Sequence, residues 1–345
     1  MTTDHPFQHL FDTFGRQPVA HADLVNRQAY EILSKTLSGS LEKAGRFILL
    51  RAPYAGHGKT HLLAKTQHKL GGGYEFISLE AGFGGLIQPI SVMEDILRRL
   101  SRQAPGNGEL SVLDLLARRL FAMALQPLVN SGEVPCQDKE GAMAALRLRP
   151  IEAFDFHDPD AITAHWAQEN FEVLGEKLSS ELAKRSNLST SEAAFWVKAL
   201  FHFASAPIQD STRLRVLIEK LGGDVSTEMK RLITLLGLLT LLTRVVLVAD
   251  DLEGFSKNEA DAFTYVSFLS SLREAVNRLE VIISINQDIW ENAFLPRLGG
   301  GLVDRITEVV IDLKPLNEEE MVALLDSRVP GSGKRIIEKI GLASA

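Results

Sequence analysis

Apolar residues recur at helical spacing between residues 24 and 37, where Leu24, Ala29, Ile32, Leu33 and Leu37 line one side of LVNRQAYEILSKTL. Gly45 breaks that pattern, and the short apolar run 46–51 that follows is the signature of a strand buried on both faces. A loop holding Pro53, Gly56 and Gly58 leads into helical character from Lys59 onward; Gly71 to Gly73 stop it, and 74–79 reads as the next strand. From 88 to 243 the pattern changes to apolar positions at i, i+3 and i+4 with almost no alternation. It predicts helices over about 91–103, 111–129, 159–186, 190–205, 211–221 and 226–243, joined by polar connections at 104–109 and 130–140. Strand character returns at 245–249, 281–285 and 309–313, with helices near 258–277 and 317–328 between and after. Strands separated by helices predict an α/β chain, a parallel sheet covered on both faces, interrupted by a helical insertion. No internal repeat or low-complexity tract is visible.

Length and composition narrow the class. With 345 residues, 45% hydrophobic and 23% charged, the chain has material for two compact units and lies away from disordered or fibrous compositions. The single cysteine, Cys136, excludes an internal disulfide framework and a cysteine-rich zinc site, and favours a reducing, cytoplasmic setting. Segment 1–14 has an early acid and no apolar core of secretory length, so no signal peptide is expected. The longest apolar run, 232–243, falls short of the roughly 20 residues needed to cross a bilayer and is expected to be buried. Thirty-seven basic against 44 acidic residues give a net charge of −7, which offers no global field for nucleic acid or an anionic membrane.

The loop from Pro53 to Thr60 fits G-x-x-x-x-G-K-[ST] except at its first position, where proline stands for glycine. In such a loop successive backbone N–H groups wrap phosphate oxygens, the lysine reaches the β- and γ-phosphates, and the threonine hydroxyl ligates Mg²⁺. The candidate phosphate-binding residues are Ala55, Gly56, His57, Gly58, Lys59, Thr60 and His61; the plainer alternative is a glycine turn that starts a surface helix. VVLVADD, 245–251, is an apolar strand ending in two carboxylates, where ligands bind in open α/β sheets. Asp250 suits Mg²⁺ and Asp251 suits positioning or deprotonating a water, although the pair could instead cap the next helix. Glu253 is an alternative to Asp251, but two residues further on it is expected to leave the site. A third apolar strand, VIISIN, ends in Asn286.

Strand-GHGKT-helix, VVLVADD, the strand ending in Asn286, LPRLGGGLVDRI and LKPLNEEEMVALLDSR together resemble an AAA+ ATPase, on the initiator-like and signalling side of that superfamily. LVNR at 24–27 resembles the motif that precedes the first strand there. The resemblance covers about 20–87 and 244–328. It implies a three-layer P-loop NTPase sandwich, with a nucleotide-binding core at 1–87 and 244–315, an insertion at 88–243 and a shortened helical lid at 316–345. It further implies ATP and Mg²⁺ as ligands, Walker A at Gly58, Lys59 and Thr60, Walker B at Asp250 and Asp251, and sensor 1 at Asn286. Arg305, with Arg297 in reserve, matches the arginine that reaches a neighbour's γ-phosphate, which requires an oligomer. Arg335 matches a lid arginine, or simply starts a basic helix.

Departures from that pattern leave several functions open. Pro53 alters the loop entry, Asp251 stands where glutamate is commoner, and little chain follows Arg328. The expected activity is ATP binding with slow hydrolysis that drives assembly or remodels a partner; the alternatives are a nucleotide-gated signalling or defence switch, a DNA-acting loader, or a degenerate loop. DDLEGF is also similar to a related P-loop group whose insertions carry membrane segments, which this insertion lacks. His57 and His61 have no third ligand nearby, so zinc is not expected. Phe195, Trp196, Phe201 and Phe203, with His202, are read as insertion core or as a face for a protein partner. Arg98, Arg99, Arg102, Arg118, Arg119, Arg147 and Arg149 are read as a solvated face, with nucleic acid the alternative.

Overall fold

Five apolar, β-branched runs form the strands β1 (Phe47–Ala52), β2 (Tyr74–Ser78), β3 (Arg244–Ala249), β4 (Glu280–Asn286) and β5 (Val309–Asp312). They make one parallel sheet in the order β2-β3-β4-β1-β5. The computed structural model describes residues 22–39, 44–79, 87–104, 106–257 and 259–340. The expectation for segment 1–14 lies outside the described residues. The chain divides into two compact units, Met1–Ile87 with Arg244–Ala345, and Gln88–Thr243.

In the first unit the central strands are buried on both sides, which is why β3 and β4 read as continuous apolar runs without alternation. Its longer helices are α1 (Arg27–Leu37), α2 (Lys59–Leu70), α3 (Glu259–Ala275), α4 (Gly300–Ile306), α5 (Glu318–Arg328) and α6 (Gly333–Ile340). Ala29, Leu33 and Leu37 of α1 and Leu62 and Leu63 of α2 pack on Ile48, Leu50, Ala52, Val246, Val248, Ile282 and Ile311, the residues of one sheet face. Helices α3 and α4 pack on β4 and β1. The connection from β1 to β2 runs one way along the sheet, and those from β3 to β4 and from β4 to β5 run the other way. Right-handed crossovers therefore set α2 on one face and α3 and α4 on the opposite one. Helix α5 opens with a capping box, Asn317 and Glu320 each accepting from the other's backbone N–H, at 2.9 and 3.0 Å.

The second unit is helical apart from an isolated bridge between Gln103 and Ser111. The helix expected over 111–129 runs from Val112 to Ser131, started by a capping box between Ser111 and Asp114. The single helix expected over 159–186 is two, Ile162–Glu169 and Phe171–Ser186; at the break the Asn170 side chain bonds the Trp166 carbonyl at 2.8 Å, competing with the backbone. Lys139–Leu148 is a further helix that periodicity did not predict, since Leu146 is its one buried residue and leaves no apolar stripe to detect. Phe121, Phe154, Phe156 and Phe201 form an aromatic cluster with centroids 5.2–6.5 Å apart. Trp196 and Phe203 are buried too, whereas Phe195 is half-buried under the Arg231 guanidinium, 4.1 Å from its ring centre. Arg118, expected on a solvated face, is instead buried and paired with Asp155 at 2.8 Å, because an uncompensated buried guanidinium would be costly. The run 232–239 is largely buried, and no helix among the described residues is long and apolar enough to cross a membrane.

Candidate functional site

The connection leaving β1 heads toward β2 while the one leaving its neighbour β4 heads toward β5, so a crevice opens at the C-terminal ends of these two strands. Ala52, the last residue of β1, is in register with Asn286, the last of β4. The loop 53–58 leaves β1 at that point and feeds α2. Gly56 and Gly58 both sit at φ +88°, a conformation that side chains other than glycine's rarely adopt, so the backbone can curl at this turn. A Cβ on Gly56 would meet nothing within 4 Å, and one on Gly58 would meet the Asn26 amide at 3.1 Å. Gly58 provides no side-chain cap to α2, and the first turn of that helix, Lys59, Thr60 and His61, carries no acid. This helix start therefore has neither a side-chain cap from Gly58 nor an acid in its first turn, and it brings the positive end of the helix dipole to the crevice.

Lys59 is only 7% exposed, and its ammonium donates to Asn286 Oδ1. The other amide atom of Asn286, Nδ2, donates to Glu253 Oε1 at 2.9 Å. This orientation follows from chemistry, because an ammonium only donates and a carboxylate only accepts. Thr60 Oγ1 donates to Asp250 Oδ2 at 2.8 Å, and both Asp250 and Asn286 are buried. Beneath them Tyr265 is buried and donates to the Leu79 carbonyl at 3.2 Å; burial and the Asp250 charge push its phenol pKa up and keep it neutral. The remaining loop residues are placed outward: Tyr54 and Ala55 are exposed, and His57 is half-buried with Nδ1 3.0 Å from the Tyr54 carbonyl. His61 is half-buried on the first turn of α2.

Of the two carboxylates after Asp250, Glu253 is placed differently from the expectation. Asp251 is exposed and lies at φ +57°, a left-handed conformation that aspartate tolerates better than most residues. A 3₁₀ helix, Leu252–Lys257, follows at once, with Leu252 buried. Glu253 consequently stays at the site, bonded to Asn286, instead of leaving it. The sequence signal for this is an aspartate, which tolerates the left-handed conformation, immediately after a buried strand.

Asn26, in the LVNR segment and at φ +52°, joins this crevice to a second feature. Its Nδ2 approaches the His57 carbonyl at 3.4 Å, and its backbone N–H donates to Glu320 Oε1 at 3.0 Å. Glu320 thus serves both the α5 capping box and the start of α1. The turn at 22–25 is held by the buried Lys65, whose ammonium reaches the carbonyls of Ala22, Asp23 and Val25 at 3.1–3.4 Å. Burial lowers the Lys65 pKa, with Asp23 opposing. A cavity of about 530 Å³ opens beside Asn26, lined on one side by 24–31 and on the other by 312–320, a volume suited to a small organic ligand.

The candidate arginines lie elsewhere. Arg305 is exposed near the end of α4 and paired with the exposed Glu274, at the edge of the sheet where strands begin, opposite the phosphate-loop edge. It does not reach Lys59 of its own chain. Arg297 is exposed between Asn286 and α4, and Arg335 is exposed on α6, which packs against α5. Among the described residues no group of three or more His, Cys, Asp or Glu side chains is placed to hold a metal by itself. No protein-family model matches the chain, and no curated protein is significantly similar to it.

Proposed function

We propose that the chain binds ATP with Mg²⁺ at the crevice between β1 and β4 and hydrolyses it, on a P-loop sandwich of AAA+ type. The observation that carries this reading is the convergence of four buried or half-buried polar side chains, Lys59, Thr60, Asp250 and Asn286, at the ends of three adjacent strands, over a helix start without a side-chain cap. The donor set fits a triphosphate: backbone N–H groups, an ammonium and two glycines whose conformation favours close backbone approach. Thr60 with Asp250 fits Mg²⁺, which takes one or two protein oxygens and completes its shell with water and phosphate. Bound Mg²⁺ would supply neutralisation of charge on the phosphate oxygens.

Lys59 exchanges its bond with Asn286 for the β- and γ-phosphate oxygens, and the α2 N–H groups hold the rest of the chain of phosphates. Asn286, still buried, is left with a free acceptor that can orient a water. The cavity beside Asn26 takes the nucleoside. The single cysteine suits a reducing compartment such as cytoplasm, and Arg305 suits completion of a neighbour's site in a homo-oligomer, with protein partners engaged through the insertion.

ATP titration in the presence and absence of Mg²⁺, with GTP as competitor and Lys59→Ala alongside, tests the reading. Binding that strengthens with Mg²⁺ and weakens by about tenfold to a hundredfold in Lys59→Ala is expected, the worth of one charge-assisted bond. Binding unaffected by Lys59→Ala would sink it. Tight binding without turnover would select the nucleotide-gated switch, and turnover stimulated by DNA the loader.

A further inference from the structure

The geometry points to Glu253, and not Asp251, as the carboxylate that takes the proton of the attacking water. This rests on the reading of the site as an ATPase and decides within it between Asp251, which the sequence favours for that role, and its alternative Glu253. Three observations carry it. First, Asp250 is committed: it is buried and accepts from the Thr60 hydroxyl, the pair that suits the metal. Second, Asp251 lies at φ +57°, so the residue directly after Asp250 departs from the strand conformation; exposure does not separate it from Glu253, since both are exposed. Third, the 3₁₀ turn returns Glu253 to the crevice, where its Oε1 is 2.9 Å from Asn286 Nδ2 while Oδ1 of the same amide accepts from Lys59.

One buried amide therefore stands between the ammonium that would hold the γ-phosphate and the carboxylate of Glu253. A water beside Asn286, in front of a phosphoryl group bound to Lys59, lies within reach of that carboxylate. In the step, the water oxygen forms a bond to the γ-phosphorus and the bond from the γ-phosphorus to the bridging oxygen breaks. The electron pair leaves with ADP, and the water proton passes to Glu253.

The test compares Glu253→Gln, Glu253→Asp and Asp251→Asn in the full chain, reading ATP affinity and turnover separately, with Lys59→Ala as the binding control. Glu253→Gln keeps an oxygen for the Asn286 amide, so ATP affinity should stay within about threefold of wild type while kcat falls roughly 10²- to 10⁴-fold, the usual worth of a general base. Glu253→Asp should recover part of that loss, and the fall in Asp251→Asn should be at least tenfold smaller than in Glu253→Gln. Equal falls, the reverse order, or wild-type protein that binds ATP without turning it over would overturn the assignment while leaving nucleotide binding intact. Absence of any binding that depends on Lys59 would overturn the ATPase reading itself, and the assignment with it.

Discussion

Asn286 shows how much one side chain can fix when it is buried. Its amide has two distinct ends, and each is matched to a partner of opposite demand, Lys59 on one side and Glu253 on the other. Replacing it by leucine would leave a buried ammonium without an acceptor, a far larger loss than one neutral hydrogen bond. A second buried group sits at the other end of the same strand. Glu280 accepts from the Arg46 N–H at 2.7 Å, and burial drives its pKa up to about 7 against the opposing pull of that bond and of Arg46, Arg273 and Arg244. The folded chain then holds a proton that the unfolded chain releases above about pH 4.5. The stability this group contributes is complete below that pH and is lost as pH rises through about 7. Urea midpoints at pH 5 and pH 8 should differ less in Glu280→Gln than in wild type; an unchanged pH dependence would show that Glu280 titrates normally.

At the scale of elements, the segment before β1 and the helix after β5 are tied through a single carboxylate. Glu320 accepts from Asn26 N–H and from Asn317 N–H, so Glu320→Ala removes both the α5 capping box and the link to α1. A loss of about 1–2 kcal/mol of stability is expected, with faster amide exchange at Asn26 than in Glu320→Gln, which retains one acceptor. This link was invisible in the sequence because its partners are 294 positions apart, and neither residue type announces the other. The strand, glycine loop and helix of 47–70 were legible because each signal is local: an apolar run, two glycines, then helical spacing. The position of Glu253 was not, since it depends on one aspartate taking a left-handed conformation, which composition permits without requiring. The split at Asn170 failed for a related reason, a side chain competing for a backbone carbonyl inside an otherwise periodic stretch.

At the scale of the whole molecule, Arg305 and Lys59 lie at opposite edges of one sheet, so Arg305 could act on a phosphate bound at Lys59 only in another copy of the chain, as the proposed ATPase reading requires. ATP turnover per chain should rise with protein concentration, and Arg305→Ala should abolish that rise with a fall on the order of a hundredfold or more. Its exposed pair with Glu274 contributes at most ~1 kcal/mol, so the melting temperature should scarcely move. Concentration-independent turnover would assign Arg305 to the surface alone. The strand order has a different consequence, for biosynthesis. Strands β1 and β2 are translated before the insertion, yet neither pairs with the other; β2 needs β3, and β1 needs β4 and β5, all encoded after it. The nascent chain thus carries two apolar strands without partners while 88–243 is made, a wait on the order of ten seconds at ordinary elongation rates. The helical unit, contiguous in sequence, can fold during that interval, whereas the parallel sheet closes only after β5 has been made. Ribosome-bound chains halted inside the insertion are therefore the state in which this protein most needs a chaperone.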